Sequence, residues 1–281
     1  MDVVNTDQAE HWASVAPTWV EIEDHLERTA GGPGRRAMDR LDLQPGQAVL
    51  DLGCGTGPTT VELARRVGPD GSVLGVDIAA AMLARARERA SQEGASNVHF
   101  VHADVQCCDL ESGTYDRAFS RFGVMFYADP VAAFANVRTA LRTGGTLGFV
   151  CWQSVTANEW MLVPGMAVMS VTGAPPAMPE PGQPGPFSLC DGDRVREVLE
   201  SAGFEGVEVV PHNDVISAPE RELGDYAAIA LRMGAAREAL RGADEATMAR
   251  AFERVAAALA EKVEDGQLRL TRGVLLVTAR A

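Results

Sequence analysis

VLDLGCGTG, residues 49 to 57, decides the fold. A short apolar run carrying Asp51 leads into glycines at 53, 55 and 57, and from Thr59 the chain takes on helical character. Glycines at this point let the backbone turn tightly and approach a ligand with no Cβ in the way, and the helix start offers free N–H groups. The stretch reads as strand, ligand-binding turn and helix.

Outward from this turn, β-branched runs alternate with alanine- and arginine-rich helical stretches, the pattern of βαβ units around a parallel sheet. Strands are predicted at Ala48–Leu52, Ser72–Asp77, Val98–Ala103, Tyr115–Ser120 and Thr146–Trp152. Between them lie helices at Thr59–Val67, Ala79–Glu93 and Val131–Leu141, closed by Gly68, Gly94 and Gly144-Gly145. Residues 153 to 190 break the rhythm: Asn158–Thr172 reads as a helix, and GAPPAMPEPGQPGPF, residues 173 to 187, is too rich in proline and glycine for periodic structure. Order resumes with a helix at Asp193–Ala202, capped by Asp191 or Asp193 and ended by Gly203, and a strand at Val207–Pro211. A mostly helical excursion, Pro219–Asp265, precedes a final strand at Leu270–Thr278. The expected fold is α/β, a doubly wound, seven-stranded, mostly parallel sheet with helical lid insertions. Its expected parts are an N-terminal helical cover (1–47), an α/β core (48–152), a helical and Pro/Gly insertion (153–190), and a C-terminal part of the core (191–281) carrying the insertion 219–265.

Composition narrows the function. The 281 residues are 46% hydrophobic and 23% charged, values that exclude a fibrous or mostly disordered chain. A formal net charge of -14 repels polyanions, and the basic residues form no stripe, so nucleic acid is not the expected partner. Cys54, Cys107, Cys108, Cys151 and Cys190 include no CxxC pair and no Cys/His cluster at zinc spacing, so no metal site is expected and a reduced setting fits. The acidic MDVVNTDQAEHW start lacks an export signal, and no run nears the roughly 20 apolar residues of a membrane span. A cytoplasmic protein with no membrane partner is expected.

The turn discriminates among cofactors. Dinucleotide-binding domains use GxGxxG, which would put the third glycine at 58, where this chain has Pro58. Asp51 would repel a pyrophosphate but attract an amino group, directly or through water. Both departures favour a cofactor bearing an ammonium over a nicotinamide dinucleotide, and they disfavour a rival oxidoreductase reading. As structure alone, such a turn packs a helix onto a strand.

From about residue 48 onward the chain resembles the class I S-adenosylmethionine-dependent methyltransferases, with a general likeness to the small-molecule group that contains quinone and natural-product enzymes. The likeness is carried by VLDLGCGTG, VLGVDIAAAM (73–82), VHADVQ (101–106), YDRAFSRFGVMFYADP (115–130) and AGF (202–204), in that order. It implies a Rossmann-like methyltransferase fold with S-adenosyl-L-methionine as cofactor and S-adenosyl-L-homocysteine as product. Cofactor binding would fall to Asp51, Gly53, Gly55 and Gly57 at the turn. Asp77 would accept both ribose hydroxyls and Ile78 would pack on the adenine; Asp77 also suits an N-cap of the next helix. Asp104 would accept from the adenine amino group and the Val105 N–H would serve a ring nitrogen, although a turn aspartate reads the same way. Ser120, Arg121 and Phe122 to Phe126 would line the methyl-transfer site, where aromatics suit a sulfonium as well as a core.

Ligands of open α/β sheets lie beyond the carboxyl ends of the strands, which puts the methyl group near residues 53, 120 and 152. The N-terminal stretch and both excursions are the material available to cover this face and form a pocket for a small-molecule acceptor. Trp12, Trp19, Arg121, Phe122, Trp152 and Trp160 are its expected walls, the tryptophans serving equally as anchors of the cover. The apolar run from Trp160 to Val171 suggests a hydrophobic acceptor. Positioning and desolvation supply much of the acceleration of methyl transfer, so a base is optional. His11 is the first candidate for one and Tyr127 the alternative, whereas His99 and His102, in or beside a strand, read as structural. The remaining rival is a chain that keeps the cofactor but acts as a cyclase, decarboxylase or binding module, because fold and cofactor do not fix the reaction.

Overall fold

A computed structural model of the chain describes residues 3–173 and 182–281, so residues 174–181 of the proline-rich stretch lie outside the described residues. The elements in chain order are α1 (Thr6–Glu21), α2 (Glu23–Asp39), β1 (Ala48–Leu52), α3 (Pro58–Val67), β2 (Ser72–Asp77), α4 (Ala80–Gln92), β3 (Val98–His102), β4 (Tyr115–Arg121), α5 (Pro130–Ala140), β5 (Leu141–Trp152), α6 (Glu159–Thr172), α7 (Gly192–Ser201), β6 (Glu205–Pro219), α8 (Leu223–Ala230), α9 (Gly234–Ala239), α10 (Glu245–Ala260), β7 (Val263–Glu264) and β8 (Gln267–Arg280).

Local chemistry starts the helices where the sequence signals them. Pro58 opens α3 behind Gly57, its fixed φ already helical. Pro130 does the same for α5, where Asp129 accepts the Ala132 N–H at 2.9 Å. Of the two cap candidates for α7, Asp191 is the one used, accepting from Asp193 N at 2.7 Å.

The sheet runs β3-β2-β1-β4-β5-β8-β6, with the two-residue β7 paired antiparallel to β8 as an eighth strand. Strands β3, β2, β1, β4 and β5 are parallel, Leu50 of β1 lying between Leu74 of β2 and Ala118 of β4. Winding reverses between β1 and β4, which opens the crevice where such sheets hold their ligands. Leu50, Leu52 and Phe119 are fully buried, each worth about 1.5–3 kcal/mol of apolar burial, and Phe134 of α5 stacks on Phe149 of β5 at 5.6 Å and 24°.

Strand ends differ most from expectation in β5, β6 and β8. β5 begins at Leu141 rather than Thr146, with an irregularity between Tyr115 and Arg117 of β4 taking up the extra length. β6 runs through Pro211, expected to end it, because β6 closes the strand order and an edge strand tolerates the missing N–H. β8 starts at Gln267, three residues before Leu270.

Contacts divide the chain into two compact units: Met1–Cys151 with Gly182–Pro211 and Val274–Ala281, and Trp152–Pro181 with His212–Gly273. The N-terminal helices α1 and α2 fall in the same unit as strands β1 to β4. The two insertions form one unit because they share apolar contacts invisible in sequence order: Val168 of α6, Ala227 of α8, Val255 of α10 and Leu270 of β8 are all fully buried in one cluster.

Candidate functional site

The turn after β1 is pinned from two sides. Gly53 N and Cys54 N both donate to Val76 O of β2, at 2.8 and 3.1 Å, and a Cβ on Gly53 would lie 2.9 Å from Gly123 Cα in the loop after β4. All three glycines take left-handed φ, +66°, +56° and +84° for Gly53, Gly55 and Gly57. Their surroundings separate their roles. A Cβ on Gly57 would meet Ala86 Cβ of α4 at 2.9 Å, so Gly57 serves helix packing, whereas one on Gly55 would meet nothing within 4 Å. The Cβ side of Gly55 faces open space.

Asp51 lies beneath this turn, fully buried. Its Oδ2 accepts from Thr59 Oγ1 at 2.9 Å and Thr60 Oγ1 at 2.7 Å, both on the first turn of α3, while Oδ1 has no hydrogen-bond partner. Burial pushes its pKa up to about 6 against the two threonine bonds and the Arg121 charge. A buried carboxylate with one oxygen unused fits a cationic amino group. The threonines carried little sequence signal: two hydroxyls at a helix start read as ordinary capping.

Asp77 accepts from Gly55 N and Ala79 N, each at 2.8 Å, and burial raises its pKa. The N-cap of α4 is Ala79 rather than Asp77, because Asp77 reaches back to the glycine turn. Beside it the Ile78 carbonyl accepts from His102 Nε2 at 2.9 Å, which gives that imidazole its structural task. Asp104 is buried and already engaged: Oδ2 accepts from Val4 N at 3.1 Å and Asn5 N at 3.0 Å, and Oδ1 from Gln106 N at 3.0 Å. The Val105 carbonyl accepts from Asn136 Nδ2 at 2.8 Å.

Two side-chain hydroxyls at the end of β4 and beyond it are buried. Ser120 is fully buried; its hydroxyl donates to Leu52 O at 2.7 Å and accepts from Gly123 N at 3.3 Å, so it ties β4 to β1 instead of presenting a hydroxyl to a ligand. The Tyr127 hydroxyl is buried with no partner, and burial beside Asp104, Cys108 and Asp77 drives its pKa far upward, the wrong direction for a base. Phe122 holds φ +61°, a left-handed conformation that bulky residues rarely adopt and that clusters at ligand sites. Arg121 Nη1 pairs with Glu27 Oε2 of α2 at 2.5 Å.

Helix α1 supplies an aromatic cluster over the same end of the core. Trp12 stands edge-on to His11, Trp19 and Phe126 at 5.5, 5.6 and 4.8 Å, and both tryptophans pack against Ala16, Ala79 and Met82. Burial and Arg28 push His25 on α2 down to about 4. Trp152 and Trp160 form a separate pair within the second unit, 4.9 Å apart and tilted 50°, with Trp160 Nε1 donating to Asn158 Oδ1 at 3.0 Å. Trp160, Val163, Ala167 and Val168 of α6 are spent on that unit's core, so the apolar character of this helix is accounted for without an acceptor. Among the described residues no cluster of three or more His, Cys, Asp or Glu suits a metal, and no helix is long and apolar enough to cross a membrane.

Residues 49–145 match a family model described as a methyltransferase domain. Over this segment the chain is similar to methyltransferase domains. The domain is 34% identical over 116 residues to an aklanonic acid methyltransferase from Streptomyces sp. strain C5, covering 41% of this chain and 53% of the relative. A nocamycin O-methyltransferase from Saccharothrix syringae is 28% identical over 203 residues, 67% of this chain and 70% of the relative. The methyltransferase fold is shared with the crystal structure of an S-adenosylmethionine-dependent methyltransferase from Aquifex aeolicus, at TM-score 0.53 and 21% identity over 69% of this chain and 91% of that one. The chain spans about half the length of several curated relatives it matches.

Proposed function

We propose that this methyltransferase transfers a methyl group from S-adenosylmethionine to a small organic acceptor. The observation that carries the reading is the unpartnered Oδ1 of buried Asp51 beneath a glycine, Gly55, whose backbone faces open space. The amino group of the cofactor would bind Asp51, its ribose Asp77 and its adenine Ile78, Asp104 and Val105, with Gly53 and Gly55 giving backbone access. When bound, S-adenosylmethionine supplies an electrophilic methyl group on a sulfonium. Around it the protein's task is to exclude water and orient the acceptor, for which Trp12, Trp19 and Phe122 are the aromatic walls in the first unit. His11, edge-on to Trp12, is the candidate base. The names of the aklanonic acid and nocamycin relatives support a natural-product acceptor. Five free cysteines fit a cytoplasmic location.

The test is calorimetry with S-adenosylhomocysteine on wild type and Asp77→Ala, followed by assay of S-adenosylhomocysteine release across hydrophobic phenols, amines and acids. Asp77→Ala should weaken binding at least tenfold, since charge-assisted hydrogen bonds of about 1.5–3 kcal/mol each are removed. Unchanged affinity refutes the ribose role, and no product from any acceptor refutes methyl transfer.

A further inference from the structure

We propose that Arg121, held by Glu27, binds a carboxylate of the acceptor, so that the molecule methylated is an organic acid. This rests on the methyltransferase reading above. Arg121 ends β4 with its side chain only 16% exposed. Nη1 donates to Glu27 Oε2, whereas Nε and Nη2 make no hydrogen bond among the described residues. That unused edge is the fork that matches a carboxylate in bidentate fashion. In a chain of net charge -14 a half-used, largely buried guanidinium is a specific attraction for an anion.

The pair is seated with care that a surface ion pair does not need. A Cβ on Gly34 would lie 2.6 Å from Arg121 Cδ, and one on Gly31 would lie 2.1 Å from Glu27 Oε1. The run AGGPG, residues 30 to 34, is poor helix sequence, yet it lies inside α2. Its glycines make room for Glu27 and the Arg121 stem. Glu27 also takes Arg35 Nη1 at 2.9 Å, so each of its oxygens holds a guanidinium while two of the three Arg121 nitrogens hold no partner among the described residues.

Two carboxylates could use this fork: one on the acceptor, or the methionyl carboxylate of the donor. Arg121 itself lies within the segment 49–145 that matches the methyltransferase domain, but Glu27, Gly31 and Gly34, which seat it, lie outside that segment, and the acceptor is favoured on the strength of these added groups. An acid acceptor also removes the need for a base, which Tyr127 cannot supply. Methylation of a carboxylate forms an O–CH3 bond as the donor's S–CH3 bond breaks; the electron pair stays on sulfur and no proton leaves the acceptor.

The test uses protein saturated with S-adenosylhomocysteine and titrated with hydrophobic aromatic carboxylic acids, each paired with its primary amide. Wild type should bind at least one acid tenfold more tightly than its amide. Arg121→Gln should reduce the acid to the level of the amide while leaving the amide and S-adenosylhomocysteine unchanged. Arg121→Lys, which keeps charge and stem, should fold as wild type and retain part of the preference, and Glu27→Gln should lower it several-fold by freeing the guanidinium. The proposal is overturned if wild type prefers no acid, or if Arg121→Gln weakens S-adenosylhomocysteine tenfold with the acid-to-amide ratio unchanged, which assigns the fork to the donor. Wild type that fails to bind S-adenosylhomocysteine would instead refute the methyltransferase reading itself.

Discussion

Thr60 holds Asp51 by one oxygen only: its hydroxyl donates to Oδ2 at 2.7 Å, Thr59 shares that oxygen, and Oδ1 stays buried and bare. The carboxyl is consequently raised to about 6, chiefly by burial. A carboxyl whose folded pKa exceeds its unfolded value binds its proton more tightly when folded. Its stabilising contribution is therefore full below about 4 and lost as pH rises through about 6. Denaturation of ligand-free wild type and Asp51→Asn should show the difference moving in favour of the variant by up to about 3 kcal/mol between pH 4 and pH 7.5. S-adenosylhomocysteine affinity of wild type should fall as pH drops below 6, because the ammonium needs the ionised carboxylate. A pH-independent difference would contradict the burial argument.

The neighbouring glycines should respond differently to one added methyl. Gly57→Ala combines left-handed strain with an overlap on Ala86 and should lose about 2–4 kcal/mol of stability. Gly55→Ala carries the strain alone, about 1–2 kcal/mol, yet its methyl fills the open side of the turn and should weaken S-adenosylhomocysteine binding more than Gly57→Ala does. Thermal denaturation beside calorimetry separates the two, and a reversed order in either assay would contradict these roles.

Asp104 anchors the start of the described chain through the N–H groups of Val4 and Asn5, about a hundred residues away, while Asn5 Nδ2 donates to Phe126 O at 2.8 Å. Asp104→Ala leaves the buried Asn5 N–H and the partly buried Val4 and Gln106 N–H groups without their acceptor and should cost about 1–3 kcal/mol. Hydrogen exchange should rise first at residues 4 to 10; a uniform rise across the chain would mean that Asp104 serves the core at large.

Tyr127→Phe removes a buried hydroxyl that has no partner. The variant should be as stable as wild type or more so, by up to about 1 kcal/mol, with kcat unchanged. A kcat loss of tenfold or more would restore Tyr127 to the reaction.

The glycine turn was legible because its geometry is local: Asp51, Gly53, Gly55 and Asp77 lie in two strand-turn-helix segments whose spacing decides it. The surroundings of Ser120 and Tyr127 were not legible, because register and burial, which sequence does not display, engage the one hydroxyl and enclose the other. The partners of Asp104 and Arg121 were hidden for a different reason, since Val4 and Glu27 reach them across about a hundred residues of chain. The grouping of α6 with α8 and α10 was equally invisible, because helices in separate insertions give no sequence sign that they share a core.

The order β5-β8-β6 has a consequence for biosynthesis. The strand that separates β5 from β6 is made after both, so a nascent chain that has finished β6 still has no neighbour for it and leaves the flank of β5 open. During that interval two hydrogen-bonding edges face the crowded cell together, the situation in which strands pair with the wrong molecule. Chaperone dependence and inclusion-body yield should therefore track mutations in Gln267–Arg280 more closely than mutations of equal stability cost elsewhere.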